Sequence, residues 1–162
     1  MVRRSQSGFS LIEIMVVVVI ILLMGALAKS PMTQYLQTME QKNSVTGIRK
    51  MMLTARSKAM ANPSVHCGVY FDMVSVPPKA ILFQDTFAPG SYAYDPGKDK
   101  PYLAPFELPK GTLLSVPDPY PSTVIYRGDG SSFLSARLVV KSFGLSDTLD
   151  VLASTGRIRS TR

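Results

Sequence analysis

The chain has no tryptophan, one cysteine (Cys67) and one histidine (His66) in 162 residues. A single cysteine excludes an internal disulfide framework and a multi-cysteine zinc site. A single histidine argues against a His-based metal centre and a Ser-His-Asp triad. Since His66 and Cys67 are neighbours at the start of what reads as a strand, their side chains point to opposite faces and form no easy nucleophile pair. A buried, inert cysteine is the better reading. No glycine-rich phosphate loop occurs, and no helix carries paired carboxylates at ligand spacing. Asp72, Asp85, Asp95, Asp99, Asp118 and Asp129 scatter over loop segments, and their spacing specifies no calcium site. These absences leave no constellation for a membrane-anchored hydrolase. The expectation is a protein that is not an enzyme, with no catalytic residues, no metal and no cofactor.

Charge is also missing from a long run, since Ile14 to Ala28 contains no charged or polar side chain. The 18 Lys+Arg outnumber the 11 Asp+Glu, and the excess is local. Residues 29–65 hold six bases against Glu40 alone, and residues 66–155 hold seven bases against nine acids. The last seven residues carry Arg157, Arg159 and Arg162 and no acid. Cations on one segment and on the tail point to an anionic partner or surface there. At the other end, Arg3 and Arg4 precede the apolar run in the order of an export signal, with the arginines held on the cytoplasmic side. Leu11 to Ala28 spans roughly 27 Å as a helix, close to the hydrocarbon thickness of a bilayer. Hydropathy by itself gives a plain signal anchor. Glu13 does not fit that reading, because a carboxylate inside an apolar span costs a few kcal/mol unless paired or neutralised.

Arg3-Arg4, then Gly8-Phe9-Ser10-Leu11-Ile12-Glu13 and the apolar run, resemble the leader of type IV pilins and type II secretion pseudopilins. The resemblance implies cleavage after Gly8 by a prepilin peptidase and N-methylation of Phe9. It also implies a role for Glu13 in assembly, pairing with the terminal amine of a neighbouring subunit. An ammonium and a carboxylate meeting in an apolar bundle compensate one another, while either alone is expensive. The implied partners are other pilins or pseudopilins through the N-terminal helix. The implied place is the bacterial inner membrane, crossed once, with a periplasmic head that later joins a fibre.

The expected fold class is α+β: a long N-terminal helix, half membrane-spanning and half amphipathic, packed on a small antiparallel β head. The leader is 1–8, the transmembrane and assembly helix 9–30, the amphipathic helix 31–62 and the head 63–162. Pro31 is expected to interrupt or kink the helix. Beyond it Tyr35, Met39, Val45, Ile48, Met52, Ala55 and Ala59 form one apolar stripe, with a gap between Met39 and Val45. Gln34, Gln41, Lys42, Asn43, Arg49, Lys50, Arg56 and Lys58 fall on the other face, read as solvated, and Lys29 is placed near lipid head groups. Runs at 65–71, 80–83, 112–116, 123–126, 137–140 and 149–153 read as an antiparallel sheet wrapped on the stripe. A long Pro, Gly and Tyr-rich loop, 85–110, includes the stretch 88–92, and Gly128-Asp129-Gly130 is a tight turn. The seven tyrosines read as core and loop packing.

Ala55-Arg56-Ser57-Lys58-Ala59, Val65-His66-Cys67, Ile125 to Gly130 and Gly156-Arg157-Ile158-Arg159, in this order, resemble the GspH/FimT group of minor pilins. That group implies either a minor pseudopilin of a type II secretion system or a minor pilin of DNA-uptake pili. The ending bears on the choice. Gly156 permits a turn, and in an extended chain Arg157 and Arg159 point to one side while Ile158 points to the other. Two such forks, with Arg162 as a third, suit phosphates of double-stranded DNA. The competing reading is an edge strand kept soluble by its charges.

Overall fold

A computed structural model of the chain describes residues 9–85 and 93–161. The chain falls into two compact units, residues 1–36 and residues 37–162. Helix α1, Leu11–Ala61, opens where the Ser10 carbonyl accepts from the N–H groups of Glu13 (3.0 Å) and Ile14 (3.3 Å). Glu13 in the first turn and Lys58 in the last suit the helix dipole. The helix stops before Asn62-Pro63, where proline disfavours helical geometry in the residue before it. Pro31 lies inside it, so of the two outcomes expected, interruption or kink, the interruption does not occur. One proline removes a single backbone bond and costs about 3 kcal/mol, while every turn on either side keeps its bonds.

In the first unit the large apolar side chains from Leu11 to Met24 are all exposed. By length and composition the helix can cross a membrane, and none of its most apolar window is buried by the protein itself.

The second unit contains the head. Among the described residues it has nine strands: β1 His66–Asp72, β2 Lys79–Asp85, β3 Lys100–Pro101, β4 Phe106–Glu107, β5 Leu113–Ser115, β6 Thr123–Tyr126, β7 Ala136–Ser142, β8 Leu145–Val151 and β9 Ile158–Thr161. They make two sheets: the runs read along the chain as a sheet on the stripe divide between them, in keeping with the β-sandwich-like head that the resemblance implies. The first has the order β3-β2-β1-β6, with β4 also on β2; the second has the order β5-β7-β8-β9. Every pairing is antiparallel. Ile48, Met52, Ala55 and Ala59 of α1 share one core with Val69, Phe71 and Leu82 of the first sheet and Leu138, Val140, Leu149 and Ile158 of the second. Each large aliphatic side chain buried there contributes about 1.5–3 kcal/mol.

The stripe itself is shifted from the one expected. Tyr35 and Met39 are exposed, at 56% and 38%, whereas Gln41 and Ser44 are buried. Gln41 occupies the gap in the apolar spacing because its amide has partners inside. Its Nε2 donates to the Val140 carbonyl (2.9 Å) and to Asp147 Oδ2 (3.1 Å), which offsets part of the cost of burying an amide whose Oε1 has no partner among the described residues. Arg56 and Lys58 also leave the solvated set, Arg56 for backbone carbonyls of the head and Lys58 for the Tyr102 ring, 4.2 Å from its centroid.

Two strands escaped the sequence reading, β3 and β4, which are two-residue edges inside the 85–110 segment. β9 begins two residues after Gly156 and is the edge strand that one reading of the ending offered. β8 also starts four residues earlier than expected. Its turn from β7 is Phe143-Gly144, with φ of 52° and 79°. A two-residue turn with both residues left-handed matches the twist of a hairpin, but a phenylalanine there gives none of the usual Asn-Gly signal.

Replacing Gln41 by alanine is expected to lower the stability of the head by about 1–3 kcal/mol, since Asp147 and the Val140 carbonyl lose a buried donor. Lys42→Ala next to it should stay within about 0.5 kcal/mol. Urea unfolding midpoints of the two variants check the difference.

Candidate functional site

Two places carry the residues singled out by the sequence, one in each unit. Phe9 and Glu13 line one shallow apolar groove of about 280 Å³ with Ile14, Val17 and Val18. A spacing of four on a helix brings the two residues to one face. Phe9 is 80% exposed and Glu13 is exposed beside it. The carboxylate is thus presented outward among apolar side chains. The leader with Arg3, Arg4 and Gly8, the side chain of Lys29, the stretch 88–92 and Arg162 lie outside the described residues.

In the head, three of the sequence motifs meet at one junction. Arg56 Nε donates to the Gly130 carbonyl (2.9 Å) and its Nη2 to the Thr155 carbonyl (3.1 Å). One guanidinium therefore ties the end of α1 to the Gly128-Asp129-Gly130 turn and to the segment leading into Gly156. Asp129 Oδ1 closes that turn by accepting from the Ser131 N–H (2.8 Å) and hydroxyl (2.6 Å). These hydrogen bonds hold its carboxyl below the ordinary carboxylate range. Gly156 is buried with φ +59°, and its N–H donates to the Leu152 carbonyl (2.8 Å). A Cβ at Gly156 would overlap the Gly130 carbonyl oxygen and crowd the Tyr126 ring. The glycine does more than permit a turn: it lets two loops touch, and it sets where the strand after it begins.

That strand behaves as its alternation predicts. Ile158 is buried, while Arg157 and Arg159 are exposed. β9 is an edge strand, bonded to β8 alone. Neither arginine side chain has an ion-pair partner among the described residues. The neighbours are not all neutral, however. In register, Asp150 of β8 lies opposite Arg159 on one side and Arg137 on the other, and it already accepts from Arg137 Nε (2.6 Å) and Nη2 (3.2 Å). Arg137 is further from deprotonation than a lone arginine because of that carboxylate. Arg127, by contrast, stacks on Phe133 at 4.3 Å.

The other chemistry-bearing residues are packed away. Cys67 is buried, its Sγ near the Tyr102 hydroxyl (3.7 Å), and burial pushes its thiol up. His66 meets the Phe133 ring edge-on at 4.9 Å. Tyr126 is fully buried in the core and Tyr70 stacks on Tyr94. Asp72 turns its oxygens onto the Val74 and Ser75 N–H groups and the Ser75 hydroxyl. Asp95 accepts from the Gly97 N–H (3.0 Å) and pairs with Lys98 (3.2 Å). Among the described residues, no three of His, Cys, Asp and Glu gather at one point.

The positioning role of Arg56 and the placement of Asp150 escaped sequence reading. A helix-end arginine looks solvated in one dimension, and cross-strand register has no local signal. Gln41 was legible in principle, since it stands seven residues before Ile48 at the spacing of the stripe.

Gly156→Ala is expected to destabilise the head by more than about 1 kcal/mol, through a left-handed φ and a clash with backbone that cannot yield. Amide exchange should show β9 opening first, while Arg157→Ala leaves exchange of β9 unchanged.

The prokaryotic N-terminal methylation motif matches residues 3–28. No curated protein and no solved structure matches the chain. The matched segment ends within the apolar half of α1, and its agreement with the exposed, membrane-compatible helix is consistent with anchoring in the inner membrane. The chain therefore carries the leader of a type IV pilin-like protein on residues 3–28, followed by one long helix and an antiparallel β head.

Proposed function

We propose that the chain is a minor pilin or pseudopilin subunit that enters a type IV pilus-like fibre through its N-terminal helix. A second part of the proposal is that it holds double-stranded DNA without sequence preference through Arg157 and Arg159, with Arg162 as a third fork. It is a structural and binding subunit, not an enzyme, and needs no cofactor. The observation that carries the first part is the methylation motif at 3–28 together with Glu13, the one ionisable side chain in an exposed apolar helix face. Processing then has a clear order. A prepilin peptidase cuts after Gly8 on the cytoplasmic face and Phe9 is N-methylated. The helix waits in the inner membrane as a single span with the head in the periplasm. During assembly the Glu13 carboxylate is neutralised by a neighbour's terminal ammonium, which removes the cost of a lone charge among apolar groups.

Support for the DNA part comes from two exposed guanidiniums on one side of an edge strand, each able to make bidentate contacts to phosphate. Such binding is independent of sequence and steeply salt-dependent. A second reading, a minor pseudopilin of a type II secretion system without DNA binding, is favoured by one observation: Asp150 stands opposite Arg159 and answers part of its charge within the sheet.

Gly8→Val should leave the leader attached, read as the heavier precursor by intact mass, and the parent chain should begin at Phe9. Glu13→Ala should insert in the membrane as well as the parent and be depleted from sheared fibres. Normal incorporation would remove the pairing role. Arg157→Gln with Arg159→Gln should abolish retardation of double-stranded DNA while shifting the melting temperature by no more than a few degrees, since both side chains are exposed. A double variant that binds like the parent, or a parent that binds nothing at low salt, leaves the secretion reading.

A further inference from the structure

A surface groove of about 460 Å³ separates α1 from the edge of the second sheet. Its lining is Lys42, Val45, Thr46 and Arg49 from α1, Asp147 from β8 and Ser160 from β9. Lys42 and Arg49 are seven residues apart, hence on one helix face and about 10.5 Å apart along the axis. That interval is about three nucleotide steps at 3.4 Å per strand. Both cations are exposed, and neither has an ion-pair partner among the described residues. Across β9, Arg157 and Arg159 stand on the outward side and Ile158 and Ser160 on the groove side. The unpaired edge of β9 is thus flanked by cations on both sides, from segments more than a hundred residues apart.

We propose that this groove is the second flank of the DNA seat, in which Lys42 and Arg49 hold backbone phosphates on one side of β9 while Arg157 and Arg159 hold them on the other. The inference rests on the DNA-binding reading of the C-terminal arginines and extends it to the helix. The hydroxyls of Thr46 and Ser160 add the kind of donors that position a phosphate backbone. Asp147, 5% exposed and held by the Gln41 amide, lies in the same groove. Its carboxylate repels an anion that enters fully, so the groove suits a backbone crossing its rim and not a free phosphate ion. The arrangement also answers the charge balance of the head, where residues 66–155 have more acids than bases: the helix supplies the missing cations to this edge.

The test uses the full-length chain in a non-ionic detergent and a duplex of about 20 bp, with affinity measured from about 50 to about 200 mM salt. Lys42→Gln with Arg49→Gln should weaken binding and make the log–log salt slope shallower by about 1.8, for two phosphates at 0.9 each. Lys100→Gln with Lys110→Gln removes the same charge elsewhere and should leave the slope unchanged. Inorganic phosphate at matched ionic strength should not compete. An unchanged slope in the groove variant, with Arg157→Gln and Arg159→Gln still abolishing binding, overturns the groove and leaves the arginine reading standing. A parent that binds no DNA at low salt overturns both. A groove variant that keeps its DNA affinity and slope but fails to enter fibres makes the groove a protein interface and overturns the inference.

Discussion

The head is organised around one constraint: a single stripe of α1 must be covered by strands that cannot cover themselves. Ile48, Met52, Ala55 and Ala59 are fully buried, and both sheets contribute side chains to the same cluster. Neither sheet has a second layer of helix, so the stripe is the common floor of the two. The buried amide of Gln41 extends it by a turn, because it meets a carbonyl of β7 and a carboxylate of β8 at once. A leucine there would bury as well but would leave both acceptors without this donor.

The same helix must also satisfy a different solvent at its other end. From Leu11 to Met24 its apolar groups are exposed on every side, which is unfavourable in water and costs nothing in lipid. Glu13 is the exception: a lone carboxylate among apolar groups is costly in lipid unless it is paired or neutralised. In the proposed assembly the selective contribution comes from that one carboxylate, while the apolar majority supplies membrane affinity without choosing a partner.

The edge of the second sheet is placed by a chain of packing contacts. Arg56 pins the Gly128–Gly130 turn and the Thr155 carbonyl, Gly156 fits against Gly130, and β9 starts from there. Arg157, just before β9, and Arg159 within it face outward because Ile158, between them, is held in the core. Cationic groups become a surface only once the helix that bears Lys42 and Arg49 is laid beside this strand. Asp150 and Asp147 temper that surface from within the sheet.

The leader, the membrane-compatible run, the break at Asn62-Pro63 and the alternation of the main strands were legible because each depends on neighbours in sequence: hydropathy, periods of 3.6 and 2, and a missing N–H. The apolar stripe was legible from Val45 onward and misplaced before it, since Tyr35 and Met39 have the right spacing but nothing to cover them, and Gln41 has the wrong polarity but the right partners. Pro31 looked like a break because local sterics oppose it, and the unbroken bonds around it outweigh that cost. The division into two sheets, the Phe143-Gly144 hairpin, the clamp of Arg56 and the opposition of Asp150 to Arg159 were decided by tertiary structure. Each joins residues through register or packing across tens of residues, and no local pattern encodes which carbonyl an arginine will find or which strand will lie beside it. By itself the sequence determined that one end of this protein is apolar enough to cross a membrane and that its cations sit on a helix and a tail; folding decided that Lys42 and Arg49 stand beside the edge that bears Arg157 and Arg159, because only the packing of α1 against the second sheet brings them together.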